Sequence, residues 1–288
     1  MRRRDFIATG IVGSGLAALA SGTQAAQPAD AQPPKAKLKG RIRQSVCRWC
    51  YGSMPLEELS KNAAAMGIQS VELLTEKEWS VPKAHGITCA VAMGPNPIPT
   101  GWNRVENHDK FVKESERLLP LIKEAGIPNM IVFSGNRAGQ ADAEGVKNCV
   151  TGLKRITPLA EKLGITVIME LLSSKDHKDY QCDHTAWGVE VVKGVASDRF
   201  KLLYDIYHMQ RMEGDVIGTI KENINYIGHF HTGGVPGRNE IDESQELNYT
   251  TICKAIVDLG YKGFLGQEFI PIRDPMTSLK QAVAICDV

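Results

Sequence analysis

Four polar residues end apolar runs in the carboxyl-terminal half of the sequence: Glu170, Asp205, His231 and Glu268. A carboxylate at the end of a buried run is costly to bury without a partner. Three carboxylates that point into one pocket repel one another unless a cation lies between them. Three oxygens and one imidazole suit one divalent metal ion, Mn²⁺, Mg²⁺ or Co²⁺, better than structural zinc, which prefers sulfur and nitrogen. The pattern therefore predicts a metal centre with these four ligands.

The predicted histidine ligand has a second histidine beside it. His229 and His231 are two residues apart on a predicted strand, so their side chains face the same way. His231 lies nearer the carboxyl end and is the predicted ligand, whereas His229 lies deeper and is predicted to be a core or supporting residue. Glu72 ends an earlier apolar run, and a place at the mouth of the site and a salt bridge are equally compatible with it. Further residues that could line the mouth are Trp49, Trp102, Asn136 and Arg137.

Eight short apolar runs are the predicted strands that position these residues. They are Ile42–Cys47, Ser70–Leu74, Ile87–Met93, Met130–Ser134, Thr166–Leu171, Lys201–Ile206, Ile227–Thr232 and Phe264–Phe269. Most are apolar nearly throughout, as expected for strands that are buried on both faces of a parallel sheet. In a closed barrel of parallel strands the chemistry lies at the carboxyl ends, which is where the four candidate ligands occur.

The segments between the strands have helical spacing, and several end at a glycine. The clearest are Leu56–Met66, His108–Ala125, Glu144–Leu163 and Thr250–Leu259, which are followed by Gly67, Gly126, Gly164 and Gly260. A glycine just past a helix is the usual carboxyl-terminal cap. Helices that alternate with apolar strands over about 250 residues predict an α/β fold, a single (β/α)8 TIM barrel. A doubly wound sheet is the alternative, but no G-x-G-x-x-G follows the first strand.

The amino terminus has the layout of an export signal. Consecutive arginines at 2–4 precede Phe6, an apolar stretch rich in glycine and alanine follows, and small residues lead to Ala26. This order is typical of a secretory signal, and the paired arginines resemble the twin-arginine type, the alternative being a disordered basic tail. We predict a signal at 1–26, a flexible leader at 27–39 and the barrel at 40–288. The mature protein is then periplasmic or otherwise exported, and the apolar stretch is too short for a stable membrane span.

Charge and cysteine content narrow the choice of partners. The formal net charge of the 288 residues is +1, and no long basic run occurs outside the amino terminus, which argues against a nucleic-acid partner. Seven scattered cysteines favour buried apolar residues over a disulfide scaffold. Cys47 and Cys50 form a single C-x-x-C, for which chance spacing is favoured over a redox or zinc pair, although export would permit a disulfide. The oligomeric state stays open, and a homo-oligomer is one of the states allowed.

Three stretches of the sequence are long and specific enough to compare with a known family. They are YDIYHMQRMEGD at 204–215, GHFHTGGVPGRNE at 228–240 with ELNY at 246–249, and GYKG at 260–263 leading to GQEF at 266–269. They resemble the hydroxypyruvate isomerase family, within the broader xylose isomerase-like barrels that include ketose 3-epimerases and endonuclease IV. The resemblance implies that Glu170, Asp205, His231 and Glu268 hold one divalent metal.

The resemblance also implies a reaction and a substrate class. The family reaction is an aldose–ketose type isomerisation of a small sugar or keto acid, with proton transfer through an enediolate between two glutamates, here Glu170 and Glu268. His208 and Arg238 match the family residues that bind the substrate, although Arg238 could equally stabilise the turn that precedes it. This chain has His231 where hydroxypyruvate isomerases have glutamine, and Ser173 and Lys175 where they tend to have asparagine and arginine.

These departures leave three alternatives open. A ketose 3-epimerase would use the same metal and the same glutamates, and its family has a histidine as third ligand, as here. A phosphodiesterase like endonuclease IV would need several metals, more histidines than the seven present and a basic surface for DNA. A non-catalytic sugar-binding barrel would keep the site without turnover.

Overall fold

The computed structural model describes residues 36–288. The predicted signal at 1–26 and residues 27–35 of the predicted leader lie outside this range, so both stay predictions. No helix within the described range is long and apolar enough to cross a membrane.

Eight parallel strands form the centre of the described fold. They are β1 Arg43–Cys47, β2 Ser70–Glu72, β3 Val91–Ala92, β4 Asn129–Val132, β5 Thr166–Leu171, β6 Phe200–Asp205, β7 Ile227–Thr232 and β8 Phe264–Gln267. The ladder runs in the order β2-β1-β8-β7-β6-β5-β4-β3. Parallel bridges from Ser70 to Thr88 and from Leu74 to Ala92 join its two ends. The predicted single (β/α)8 barrel is therefore confirmed.

The strand β3 is much shorter than the predicted run Ile87–Met93. The backbone N–H of Ala90 donates to the side-chain Oγ of Ser70 at 2.6 Å rather than to a strand carbonyl. A serine side chain that competes for a backbone donor interrupts the regular ladder. The closure of the barrel between β2 and β3 therefore depends on isolated bridges and one side-chain bond.

Ten α-helices surround the strands within residues 36–288. They are α1 Leu56–Ala65, α2 Ser80–Ala84, α3 His108–Ala125, α4 Asp142–Leu153, α5 Thr157–Leu163, α6 Thr185–Val195, α7 Ile206–Met212, α8 Val216–Asn223, α9 Tyr249–Asp258 and α10 Pro275–Cys286. All four glycines predicted to end helices have a positive φ, in the left-handed region that suits glycine. The values are 84° for Gly67, 76° for Gly126, 72° for Gly164 and 81° for Gly260.

The prediction of one helix over Glu144–Leu163 is wrong, because α4 ends at Leu153 and α5 begins at Thr157. Pro158 lies in the first turn of α5. A proline has no N–H to donate, and its ring clashes with the carbonyl four residues earlier, here that of Lys154. A continuous helix is therefore interrupted before Pro158, whereas a new helix can begin with it.

Candidate functional site

The four predicted ligands come together at the carboxyl ends of β5 to β8. Asp205 and His231 are direct neighbours in the register of β6 and β7, and Glu268 follows β8 with its N–H donating to the carbonyl of Thr232 at 3.2 Å. Glu170 is anchored through its carbonyl, which accepts from the Tyr180 hydroxyl at 2.9 Å. All four residues are buried, and one ligand atom from each lies within 4.8 Å of the others.

The side chains of this cluster face a common point rather than pairing with one another. His231 Nδ1 lies 2.8 Å from Glu268 Oε2 and 3.4 Å from Glu170 Oε1. In spite of these distances, His231 Nδ1 and Glu170 Oε1 are both buried without a hydrogen bond of acceptable geometry. Orphaned buried polar atoms are rare unless an ion or water completes them. Three carboxylates and one imidazole with such atoms fit a divalent metal ion, so the cluster can hold one.

Arg238 is the cation that touches this cluster. One of its terminal nitrogens lies 3.1 Å from Asp205 Oδ2 and 2.6 Å from Glu268 Oε2. The guanidinium carbon lies 5.1 Å from the centre of the Trp49 ring and 5.3 Å from that of Tyr207, so two aromatic faces hold it. One guanidinium against three carboxylates leaves an excess of negative charge, which a divalent ion would offset.

The charges around the cluster shift the pKa values of its members in opposite directions. Burial and the neighbouring Glu268 raise the pKa of Glu170. Burial also raises the pKa of Glu268, but His231 and Arg238 outweigh it and hold that pKa well below its usual value. Burial lowers the pKa of His231, whereas the carboxylates of Glu268 and Glu170 raise it, with a net rise above the ordinary value. The cluster therefore attracts positive charge, whether a proton or a metal ion.

His208 lies beside the cluster and is fully buried. Its backbone N–H donates to Asp205 Oδ1 at 3.1 Å, and this hydrogen bond caps the amino-terminal end of α7. Its ring nitrogens lie 3.6 Å from Asp176 Oδ2 and 3.7 Å from Asp205 Oδ2, too far for hydrogen bonds. Both nitrogens are without a partner among the described residues, so they can bond to a molecule in the pocket.

Two further residues lie at the site, of which Trp49 was among the predicted mouth residues and His177 was not. Trp49 is 45% exposed and donates its indole N–H to Glu268 Oε1 at 2.7 Å, so it forms a wall of the mouth. His177, in the loop after β5, packs its ring 5.3 Å from that of His208. Partial burial, with His208 and Arg238 nearby, lowers the pKa of His177 to about 4. A single histidine in a polar loop has no periodicity that could have revealed this placement.

Other residues that the sequence placed at the mouth have structural contacts instead. Trp102 is fully buried and packs on Phe111, with ring centres 5.5 Å apart. Arg137 pairs with Asp183 at 2.8 Å, and the carbonyl of Asn136 accepts from the side chain of Asn103 at 2.7 Å. These contacts brace the loops above β4 and β5.

Glu72 and the C-x-x-C cysteines lie on the far side of the cluster. Glu72 ends β2 and contacts both histidines of β7. Burial raises its pKa, but His229 and His231 lower it below its ordinary value. Cys47 and Cys50 are free thiols, and burial raises the pKa of each. The pair is therefore not a disulfide here, and its thiols are protonated at neutral pH.

Comparison with known proteins gives matches over most of the chain. Residues 60–286 match a family described as the xylose isomerase-like TIM barrel. The chain is 34% identical over 226 residues to the 2-oxo-tetronate isomerase of Cupriavidus necator, which covers 73% of this chain and 85% of that protein. It is 30% identical over 122 residues to the hydroxypyruvate isomerase of Escherichia coli, covering 42% of this chain and 47% of that one. Among solved structures, an AP endonuclease of family 2 from Brucella melitensis matches with a TM-score of 0.76 at 21% identity, over 83% of this chain and 97% of that one. At that identity the likeness concerns the fold alone.

Proposed function

The chain belongs to the xylose isomerase-like TIM barrel family, and from this membership we propose that it is a metal-dependent isomerase acting on a small α-hydroxy-carbonyl acid or sugar. Relatives named as 2-oxo-tetronate and hydroxypyruvate isomerases identify the activity class as an isomerase. The observation that carries the finer proposal is the convergence of Glu170, Asp205, His231 and Glu268 at one mouth of the barrel. The names of the related isomerases suggest that the substrate is a 2-oxo acid of three or four carbons.

The ligand set proposed for the metal is Glu170, Asp205, His231 and Glu268. A bound Mn²⁺, Mg²⁺ or Co²⁺ would supply a Lewis acid, which would stabilise the negative charge that develops on the substrate oxygens. The orphaned Glu170 Oε1 and His231 Nδ1 support this assignment, because both are buried and face the common point. The four side chains come from adjacent strands of a rigid barrel, which fixes their separation.

The two glutamates carry the proposed proton transfer. One of them, as a carboxylate, takes a proton from the carbon that bears the hydroxyl group, and the electron pair of that bond forms the enediolate. The other, as a carboxylic acid, returns a proton to the neighbouring carbon, and the proton gained by the first glutamate passes to the second before the next turnover. The hydroxyl proton passes to the former carbonyl oxygen, so the reaction has no net redox change.

Arg238 and His208 are the proposed substrate-binding residues. The Nε of Arg238 is buried without a partner, so its planar fork retains a donor for a substrate carboxylate. The rings of Trp49 and Tyr207 hold the guanidinium in place. His208 offers an unpaired ring nitrogen to a substrate hydroxyl.

A ketose 3-epimerase is the second candidate, and His231 favours it. That reaction would use the same two glutamates to remove and return a proton on opposite faces of one carbon. The carboxylate preference of Arg238 favours the isomerase, because a free ketose has no carboxylate to bind.

The test begins with metal analysis of the purified protein, followed by a substrate panel. We expect one divalent ion per chain, loss of turnover on chelation and recovery with Mn²⁺. The panel compares hydroxypyruvate and 2-oxo-tetronate with free ketohexoses, and turnover of the oxo acids is expected to be faster. Faster turnover of ketohexoses would favour the epimerase. Metal binding without turnover of any substrate would contradict both and support a binding barrel.

Export through a twin-arginine signal at residues 1–26, with a leader at 27–39 before the barrel at 40–288, remains part of the proposal. Expression of the full chain with its three arginines at 2–4, or with lysines in their place, tests it. Amino-terminal sequencing of periplasmic protein is expected to begin near residue 27 for the unaltered chain only.

A further inference from the structure

Beneath the proposed metal site, one carboxylate oxygen lies between two histidines. Glu72 Oε1 is 2.8 Å from His229 Nε2 and 2.7 Å from His231 Nε2, and all three side chains are fully buried. Glu72 comes from β2, which is separated from β7 by β1 and β8. The proposed proton transfer and substrate binding make no use of this carboxylate, although its burial is costly.

The space for this carboxylate is provided by a glycine. A Cβ placed on Gly266 would lie 2.5 Å from Glu72 Oε1 and 2.8 Å from His231 Cδ2. Both distances are shorter than a van der Waals contact, so any larger residue at position 266 would displace the side chain of Glu72 or that of His231. The thiol of Cys47 fills the remaining side, with its Sγ 3.6 Å from both Glu72 Oε1 and His231 Nε2.

The hydrogen bonds to Glu72 determine which nitrogen of His231 faces the cluster. An ionised carboxylate accepts hydrogen bonds and has no proton to give, so His231 donates through Nε2. A neutral imidazole that carries its proton on Nε2 has its lone pair on Nδ1. Nδ1 is the atom that lies 2.8 Å from Glu268 and 3.4 Å from Glu170. The lone pair is thereby directed at the point where the four ligands converge.

We propose that Glu72 is a positioning residue, which fixes the tautomer and the orientation of His231 so that Nδ1 binds the metal. This inference rests on the proposed function. Histidines that bind metals commonly donate their other N–H to a carboxylate, and removal of such a partner weakens metal binding about 10–100-fold. His229 shares the same oxygen and holds the carboxylate in place from below.

A second metal bound by Cys47, Glu72 and His231 is the rival interpretation, since these three also offer ligand atoms within 4.8 Å of one another. The N–O distances of 2.7 and 2.8 Å are those of ordinary hydrogen bonds. A metal at this place would displace both bonds and would have to share His231 with the first site. The hydrogen-bonded arrangement therefore accounts for the contacts without a second ion.

This role restricts which residues can serve at position 231. The side chain must present an acceptor to the metal and a donor to Glu72. Imidazole satisfies both conditions, and so does the carboxamide of glutamine, with its oxygen on one side and its NH₂ on the other. A glutamate at 231 has no donor, and its charge would face that of Glu72.

Four variants test the proposal through Mn²⁺ affinity, measured by calorimetry on proteins whose fold is checked by circular dichroism. E72Q is expected to raise Kd about tenfold, since the amide oxygen still accepts but without a charge. H231Q should bind more tightly than H231E. In the double variant E72Q/H231E the amide of Gln can donate to the new carboxylate, so we expect tighter binding than in H231E alone. E72Q is thus expected to weaken Mn²⁺ binding when residue 231 is histidine and to strengthen it when residue 231 is glutamate. A merely structural role of Glu72 would not produce this reversal.

The control is E76Q, which alters an exposed carboxylate shortly after β2 that pairs with Arg117. It should leave Kd unchanged. Equal Kd for E72Q and the unaltered protein, or weakening by E72Q in both backgrounds, would overturn the role of Glu72 while the proposed function stands. Two Mn²⁺ ions per chain would overturn it in favour of the second site. If the unaltered protein bound no divalent ion, the proposed function and this inference would fall together.

A measurement without any substitution covers the case in which a variant does not fold. Histidine-selective ¹⁵N labelling of the Zn²⁺-loaded protein reports which nitrogen of His231 carries the proton. We expect a slowly exchanging proton on Nε2 and a metal-bound Nδ1. A proton on Nδ1 with the metal on Nε2 would contradict the proposal.

Discussion

The two halves of the barrel differ in how their strands end. The strands β5 to β8 have six, six, six and four residues, and a predicted ligand is the last or second-last residue of β5, β6 and β7 and directly follows β8. The strands β1 to β4 have five, three, two and four residues, and none of them ends in a predicted ligand. What the first half contributes is support: the indole of Trp49 against Glu268 and the carboxylate of Glu72 against His231.

One fold can thus separate reactive groups from the groups that orient them. Adjacent strands in exact register bring ligands side by side, as for Asp205 and His231. Supporting groups reach the same point from β1 and β2, beyond the ladder of ligand strands, and side-chain length and packing control the distance. Substitutions in the second half should therefore affect the chemical step most, and substitutions in the first half should act indirectly and more weakly.

The largest effect is expected from the two glutamates of the second half. Glu170→Gln and Glu268→Gln each retain an oxygen that can bind a metal but cannot exchange a proton. We expect kcat to fall about 10²–10⁴-fold in each variant, the usual range for loss of a general acid or base. Steady-state kinetics with saturating Mn²⁺ provides the measurement. Turnover within twofold of the unaltered protein in either variant would refute the proposed mechanism.

Arg238 should give the next largest effect. In Arg238→Lys the positive charge remains, but the fork between Asp205 and Glu268 and the stacking on Trp49 and Tyr207 are lost. A hydrogen bond to a charged group is worth about 1.5–3 kcal/mol, which corresponds to a fall in kcat/KM of about 10–100-fold. If Arg238 only stabilises its turn, thermal stability would fall and kcat/KM per folded molecule would stay the same.

The sequence could predict the second half better than the first. Buried parallel strands are apolar nearly throughout, so Glu170, Asp205 and Glu268 stand out at their ends. The contact between Glu72 and His231 could not be predicted, because the sequence does not show which side chains of non-adjacent strands meet inside a barrel. His177 lies in a loop and Trp49 in the single 3-10 turn Arg48–Tyr51, and the path of such short segments depends on packing rather than on periodicity. Pro158 did carry a signal for a helix boundary, but proline alone does not decide one, because α3 continues through Pro120.

Trp49 tests the supporting half directly. Trp49→Phe keeps an aromatic face against Arg238 but removes the N–H that donates to Glu268 Oε1 at 2.7 Å. Because the residue is 45% exposed, water can replace part of the lost bond. We expect kcat to change about two- to tenfold, in line with about 0.5–1.5 kcal/mol for one hydrogen bond. A loss as large as that of Glu268→Gln would contradict the division between reactive and supporting halves.

The smallest effect concerns His177, which belongs to the second half but lies in a loop. Its pKa is lowered to about 4 in the folded protein, against about 6.5 when unfolded. The unfolded chain therefore binds the proton first as the pH falls, so the stability contributed by the neutral ring is complete above pH 6.5 and is lost as the pH falls towards 4. The ring is only partly buried, which reduces the expected loss to about 1–2 kcal/mol.

Urea unfolding of the metal-free protein at pH 6.5 and 4.5, with His177→Gln as the matched variant, isolates this contribution. Other titrating groups, such as Asp176 with its pKa of about 2, contribute equally to both proteins and cancel in the difference. The free energy of unfolding should fall less for His177→Gln than for the unaltered protein over this interval. If both fell by the same amount, His177 would not be held neutral by its surroundings, and the ring would have to lie farther from His208 and Arg238 than the structure places it.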